Sequence, residues 1–159
     1  MVGPWWVQIS AAAVGVAGLL MIWRPLRRLV YEARFAEARR NFHGQRERLE
    51  MKFVQLAMIH AKPGSPNWDD CQFDDDVAYV RNRSTGELSA FVAVTAAVPS
   101  TGGQSPILHR RRAATAVFRF VGRRWDTEGQ AIFNVTPAEA IRLYKRDLEM
   151  IGEELASRL

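Results

Sequence analysis

The amino-acid sequence predicts an α+β protein: an N-terminal transmembrane helix, a long basic amphipathic helix, a four-stranded antiparallel meander, and a C-terminal amphipathic helix packed on the sheet. Three observations lead there. Residues 5–23 contain no Asp, Glu, Lys, Arg or His. Apolar side chains then recur at helical spacing over residues 26–60. Beyond Pro63-Gly64 the pattern changes to period two, and it returns to helical spacing after Thr136-Pro137.

As a helix, residues 5–23 would rise roughly 28 Å, about the hydrocarbon thickness of a bilayer. Trp5, Trp6 and Trp23 bracket the run, where amphipathic rings sit at headgroup level, and Arg24, Arg27 and Arg28 follow at once. A secretory signal would carry its positive charge before the apolar run, but Met1-Val2-Gly3-Pro4 carries none. The expectation is a retained single-pass anchor over 1–23, with the C-terminal domain in the cytoplasm because the arginines lie on that side. Ala11-Ala12-Ala13 and Gly15 to Gly18 form a small-residue face of the kind that lets such helices approach one another.

Charge is distributed unevenly. Residues 24–62 hold ten Lys/Arg against four Asp/Glu, a net +6, whereas residues 63–159 hold twelve against thirteen, a net −1. The basic excess belongs to the segment after the apolar run. It is expected to face the lipid bilayer and its anionic headgroups, at ~1 kcal/mol per basic residue. A near-neutral remainder argues against a nucleic-acid partner. Cys71 is the single cysteine, which rules out an intramolecular disulfide and a multi-cysteine metal site.

In residues 26–60, Phe35, Phe42, Leu49 and Leu56 recur every seven residues, with Tyr31, Ala38 and Phe53 on the same stripe. Gln45 interrupts it beside Gly44, so a kink or break is expected near His43-Gly44. The reading is a basic juxtamembrane stalk over 24–44 and a small α+β domain over 45–159. A coiled-coil dimer is the alternative use of the heptads. Lys62 to Asn67, with two prolines and a glycine, ends the helix. Five aspartates in Asp69–Asp76 form an acidic loop. A calcium loop would need acidic ligands at alternate positions, an internal Gly and a closing Glu, and that order is absent.

Strands are expected at Val77–Val80, Glu87–Val98, Arg112–Val121 and Trp125–Val135. Gly122-Arg123-Arg124 makes a tight hairpin, and Gly129 marks a bulge. Thr136-Pro137-Ala138-Glu139 is a capping box with Pro at the first helical position. The helix it opens would carry Ile141, Tyr144, Leu148, Ile151 and Leu155 on one face.

A helix, a Pro-broken link and an antiparallel meander resemble the cystatin-like and NTF2-like α+β folds. The runs Arg112-Ala113-Ala114-Thr115-Ala116-Val117-Phe118-Arg119-Phe120 and Trp125 to Asn134, with Thr136-Pro137, resemble an uncharacterised family of small single-pass membrane-anchored bacterial proteins. The resemblance covers about residues 45–155 and brings no assigned activity. Fold analogy does not choose among activities.

Phosphate loops, nucleophile elbows, His-Glu-x-x-His and dinucleotide fingerprints are all missing. His43, His60 and His109 are scattered. Asp126 and Glu128 share a strand face about 7 Å apart, where carboxylates beside Arg119 suit cross-strand ion pairs better than acid–base work. Arg110, Arg111, Arg112, Arg123 and Arg124 flank the third strand and form the candidate interaction surface. No catalytic residue, cofactor or metal ligand is assigned. The expected function is a membrane-tethered, non-enzymatic module on the cytoplasmic face that binds another protein or itself. The alternatives are a small-molecule pocket protein or enzyme of NTF2-like type, and a structural subunit of an envelope complex. A cavity lined by Trp125 and Phe118 would favour the pocket; a filled core would favour the module.

Overall fold

The computed structural model describes residues 5–98 and 111–156, with side chains described from residue 31 onward. The order of elements is α1 (Trp5–Ile59), β1 (Asn67–Asn82), β2 (Leu88–Ala97), β3 (Arg111–Val121), β4 (Arg124–Asp126), β5 (Ala131–Phe133), α2 (Pro137–Leu143) and β6 (Leu148–Glu154). Two compact units divide the chain, Met1–Arg40 and Asn41–Leu159.

The first unit is helical from Trp5 onward. No helix among the described residues is long and apolar enough to cross a membrane. That corrects the expected transmembrane anchor over 1–23, and with it the single-pass membrane placement. The part of α1 from Glu32 to Lys52 carries an ionised side chain at nearly every turn, and each would cost about 3 kcal/mol at a bilayer centre, so that part offers no span in place of residues 1–23. The side chains of Trp5, Trp6, Trp23, Arg24, Arg27 and Arg28, read as an interface belt, lie outside the described residues. The break expected at His43-Gly44 is absent as well: α1 runs through it.

In the second unit the sheet has six strands, not the four expected, in the order β4-β3-β2-β1-β6, with β5 also paired to β3. Every pairing is antiparallel. The expected strand Trp125–Val135 is split into β4 and β5, β6 arises from the expected C-terminal helix, and β1 begins ten residues earlier than expected. The acidic stretch Asp69–Asp76 is the first half of β1 rather than a loop. Trp68 is buried and Phe73 half-buried, and Asn67 and Cys71–Phe73 pair with Val94–Ala97 despite two irregularities in register. The expected long C-terminal helix ends at Leu143. Residues 148–154 turn back and pair along β1 from Val77 to Asn82. An edge of β1 left bare would strand its backbone donors and acceptors, and Gly152 weakens a helix there by about 1 kcal/mol.

The 41–59 portion of α1 lies across one sheet face. Phe42 sits edge-on to Trp125 at 5.0 Å, Phe118 at 5.6 Å and Tyr79 at 6.0 Å between ring centroids. Phe53 meets Trp68 at 5.4 Å and Phe73 at 5.6 Å. Each such pair adds about 0.5–1.5 kcal/mol beyond area burial. Small residues on the facing strands, Ala90, Ala114 and Ala116, make room for these rings. On the other face α2 packs over β1, β2 and β6, enclosing Ala78, Val80, Phe91 and Ala140. Its N-terminus carries the expected capping box: Thr136 Oγ1 accepts from Glu139 N, and Glu139 Oε2 accepts from Thr136 N at 2.8 Å.

Candidate functional site

The β3–β4 connection follows from its two turn residues. Gly122 (φ 55°) and Arg123 (φ 70°) both lie in the left-handed region, as a two-residue type I′ hairpin requires. After β4 the strand breaks into a bulge, Thr127–Gln130, before resuming as β5. Thr127 Oγ1 donates to Val117 O at 3.0 Å and accepts from Gly129 N at 3.1 Å. Gly129 (φ 71°) lets the bulge press on α1. A Cβ there would lie 2.7 Å from Ala57 N and Leu56 Cβ.

This bulge, the β2–β3 face and the end of α2 border an open cleft of about 850 Å³. Ser89, Arg119, Glu128 and Gln130 line it, with Phe91 and Val117 at its base and His60 and Tyr144 at its margins. Its polar groups answer one another. Glu128 accepts from Arg119 Nη1 at 3.4 Å and from Gln130 Nε2 at 3.0 Å. His60 shares the cleft with Glu128, but no hydrogen bond joins them among the described residues. Asp126 points elsewhere and pairs with Lys52 on α1. Thus the bulge separates two carboxylates that an unbroken strand would have held together. The Lys52 ammonium bonded to Asp126, helped by the Thr127 N–H, holds its carboxyl below the usual range. His109 lies outside the described residues.

Nothing else among the described residues assembles a reaction centre. No group of three or more His, Cys, Asp or Glu could hold a metal there. In β1 the carboxylates of 69–76 extend along a strand rather than around a point. Burial pushes the half-buried Cys71 thiol up, away from a reactive thiolate. No buried side-chain polar atom among the described residues lacks a hydrogen-bond partner.

The arginines do not converge. Arg111 Nη1 donates to Gln72 Oε1 at 2.6 Å, and the Arg112 guanidinium lies 5.8 Å from the centre of the Phe133 ring. Arg123 and Arg124 stand at the other end of β3, roughly 35 Å away at strand rise. Arg110 lies outside the described residues. What the hairpin end does gather is unannounced by the arginine count. Arg124, Arg48 and Lys52 border a groove of about 310 Å³ with Asp126, above the buried Leu49 and Trp125.

One feature was hidden by the helical reading of the C-terminus. β6 closes one side of the sheet, and no described strand pairs with its outer side. Its inner side is tied down. Arg81 Nη2 donates to Glu149 Oε2 at 2.6 Å, Tyr79 Oη donates to Glu154 Oε2 at 3.2 Å, and His43 Nε2 lies 2.5 Å from the same oxygen. Met150 on β6, and Leu143 and Tyr144 at the end of α2, expose much of their apolar surface. Gly152, inside the expected helix, was the available signal against one. No family model, no curated protein and no solved structure matches the chain, and nothing in those comparisons bears on the cystatin-like or NTF2-like resemblance.

Proposed function

We propose that this chain is a non-enzymatic module that binds another protein, and that it does so along the outer edge of β6. The observation that carries the reading is an edge strand that no described strand covers, on a unit whose core beneath α1 is filled. Trp125 and Phe118, which would have lined a ligand cavity, are 4% and 0% exposed behind Phe42. β6 offers seven residues of backbone without Pro or Lys; Glu149, Glu153 and Glu154 and a register shift between Met150 and Gly152 limit what can add to it to a segment that answers those charges. An extended segment of a partner would add to it through main-chain hydrogen bonds and seat apolar side chains against Met150. Glu153, exposed on β6, favours a basic side chain on that segment, whereas Glu149 is already paired with Arg81.

Selection of displayed peptides against the full chain tests this. Enriched sequences are expected to alternate basic and apolar residues and to protect the amides of 148–154 from hydrogen exchange. Met150→Lys should abolish the protection while leaving the melting temperature nearly unchanged. Peptides that instead protect Ser89, Arg119 and Gln130 would sink the edge reading. The open cleft favours a second reading, a binder of small polar molecules, and protection confined to the cleft would support it.

A further inference from the structure

The groove between α1 and the β3–β4 hairpin lies at the opposite end of the strand order from β6, four strand spacings or roughly 19 Å across the sheet. Its charges are unbalanced. Asp126 is taken by Lys52, whereas Arg48 and Arg124 have no ion pair among the described residues. The two elements that carry these arginines are held rigidly: Leu49 and Trp125, each one residue away from an arginine, are both 4% exposed. Two guanidinium groups thus border one recess, a setting suited to carboxylate or phosphate oxygens.

We infer that this groove binds an acidic segment of a partner protein, its carboxylate or phosphate oxygens held by Arg48 and Arg124. The unit as a whole decides against a polynucleotide. Residues 41–159 hold sixteen Lys/Arg and fifteen Asp/Glu, a net +1, far from the strongly basic balance of a nucleic-acid binder. Apolar Leu49 and Trp125 beneath the charges suit the side chains that flank an acidic residue in a peptide. The Lys52–Asp126 pair contributes no net charge and bounds one wall. With the β6 edge at one end of the sheet and this basic groove at the other, the unit can hold two partners at once. The groove does not depend on what β6 binds.

The test uses the full chain and fluorescein-labelled peptides: one rich in glutamate, one with phosphoserine in place of glutamate, a neutral glutamine counterpart, and a single-stranded oligonucleotide as the competing class. One of the two acidic peptides should bind, and hydrogen exchange should slow in 45–52 and 121–126. Affinity should fall on the order of tenfold for each of Arg48→Glu and Arg124→Glu, as expected for lost hydrogen bonds to a charged group. Lys62→Glu, the same charge change outside the groove, should leave it intact. Preference for the phosphoserine peptide over the glutamate peptide would assign the oxyanion to phosphate, and the reverse to carboxylate. Unchanged affinity in Arg48→Glu/Arg124→Glu, protection confined to other segments, or binding of the oligonucleotide alone would overturn the inference. The β6 reading would survive each of these, because Met150→Lys addresses it separately.

Discussion

Gly129→Ala should destabilise the second unit far more than its chemistry implies, and the cost can be built from two parts. At φ 71° an alanine sits in the left-handed region, at about 1–2 kcal/mol. Its Cβ would then lie 2.7 Å from Leu56 Cβ and Ala57 N and 2.9 Å from Leu56 C, against a comfortable separation of about 3.5–4.0 Å. Two of those atoms are helix backbone and the third is a Cβ fixed to it, so none can rotate aside and the bulge or α1 must shift, adding roughly 1–3 kcal/mol. Gly86→Ala isolates the first part. Its φ is 73°, but nothing lies within 4 Å of the new Cβ. Urea titrations of the full chain followed by tryptophan fluorescence should show about 2–5 kcal/mol lost for Gly129→Ala and about 1–2 for Gly86→Ala. Equal losses would refute the reasoning, because they would mean that the bulge does not press on α1.

Phe42→Ala removes the ring shared by Tyr79, Phe118 and Trp125 and should cost about 3–5 kcal/mol in the same titration; a loss below 1 kcal/mol would mean those rings close the gap. Asp126 gives a pH dependence of known sign. Its folded-state pKa is depressed, chiefly by Lys52, so its contribution is present above the unfolded value and is lost as pH falls through the folded one. Asp126→Asn should therefore flatten stability against pH in the acid range and leave the neutral-to-alkaline limb unchanged, with the effect kept small by solvent screening.

Short-range chemistry was legible in the amino-acid order. Alternation puts Ala114, Ala116, Phe118 and Phe120 on one face, of which the first three are buried and Phe120 half-buried, and Gly122-Arg123 specified the hairpin. Thr136-Pro137-Ala138-Glu139 specified a helix start, and Phe42, Leu49 and Phe53 a buried stripe. Each of these rests on residues within two turns or a few strand positions of one another. What the tertiary structure alone decided is where that local logic stops. Leu148, Ile151 and Leu155 fit a helical face as well as 148–154 fits a strand. The open edge of β1 chose the strand, because backbone groups about seventy residues away needed partners. The same pairing rule drew Cys71–Phe73, and with them the flanking aspartates, out of a loop and into β1 opposite Val94 to Ala96. Both candidate surfaces inherit this dependence. β6 is an edge only because no further described strand follows it in the sheet, and the groove unites Arg48 with Arg124 only because α1 crosses the hairpin. A run of residues encodes its own turns and faces, whereas an edge or a groove is a relation between distant segments, and it exists once the core has brought them together.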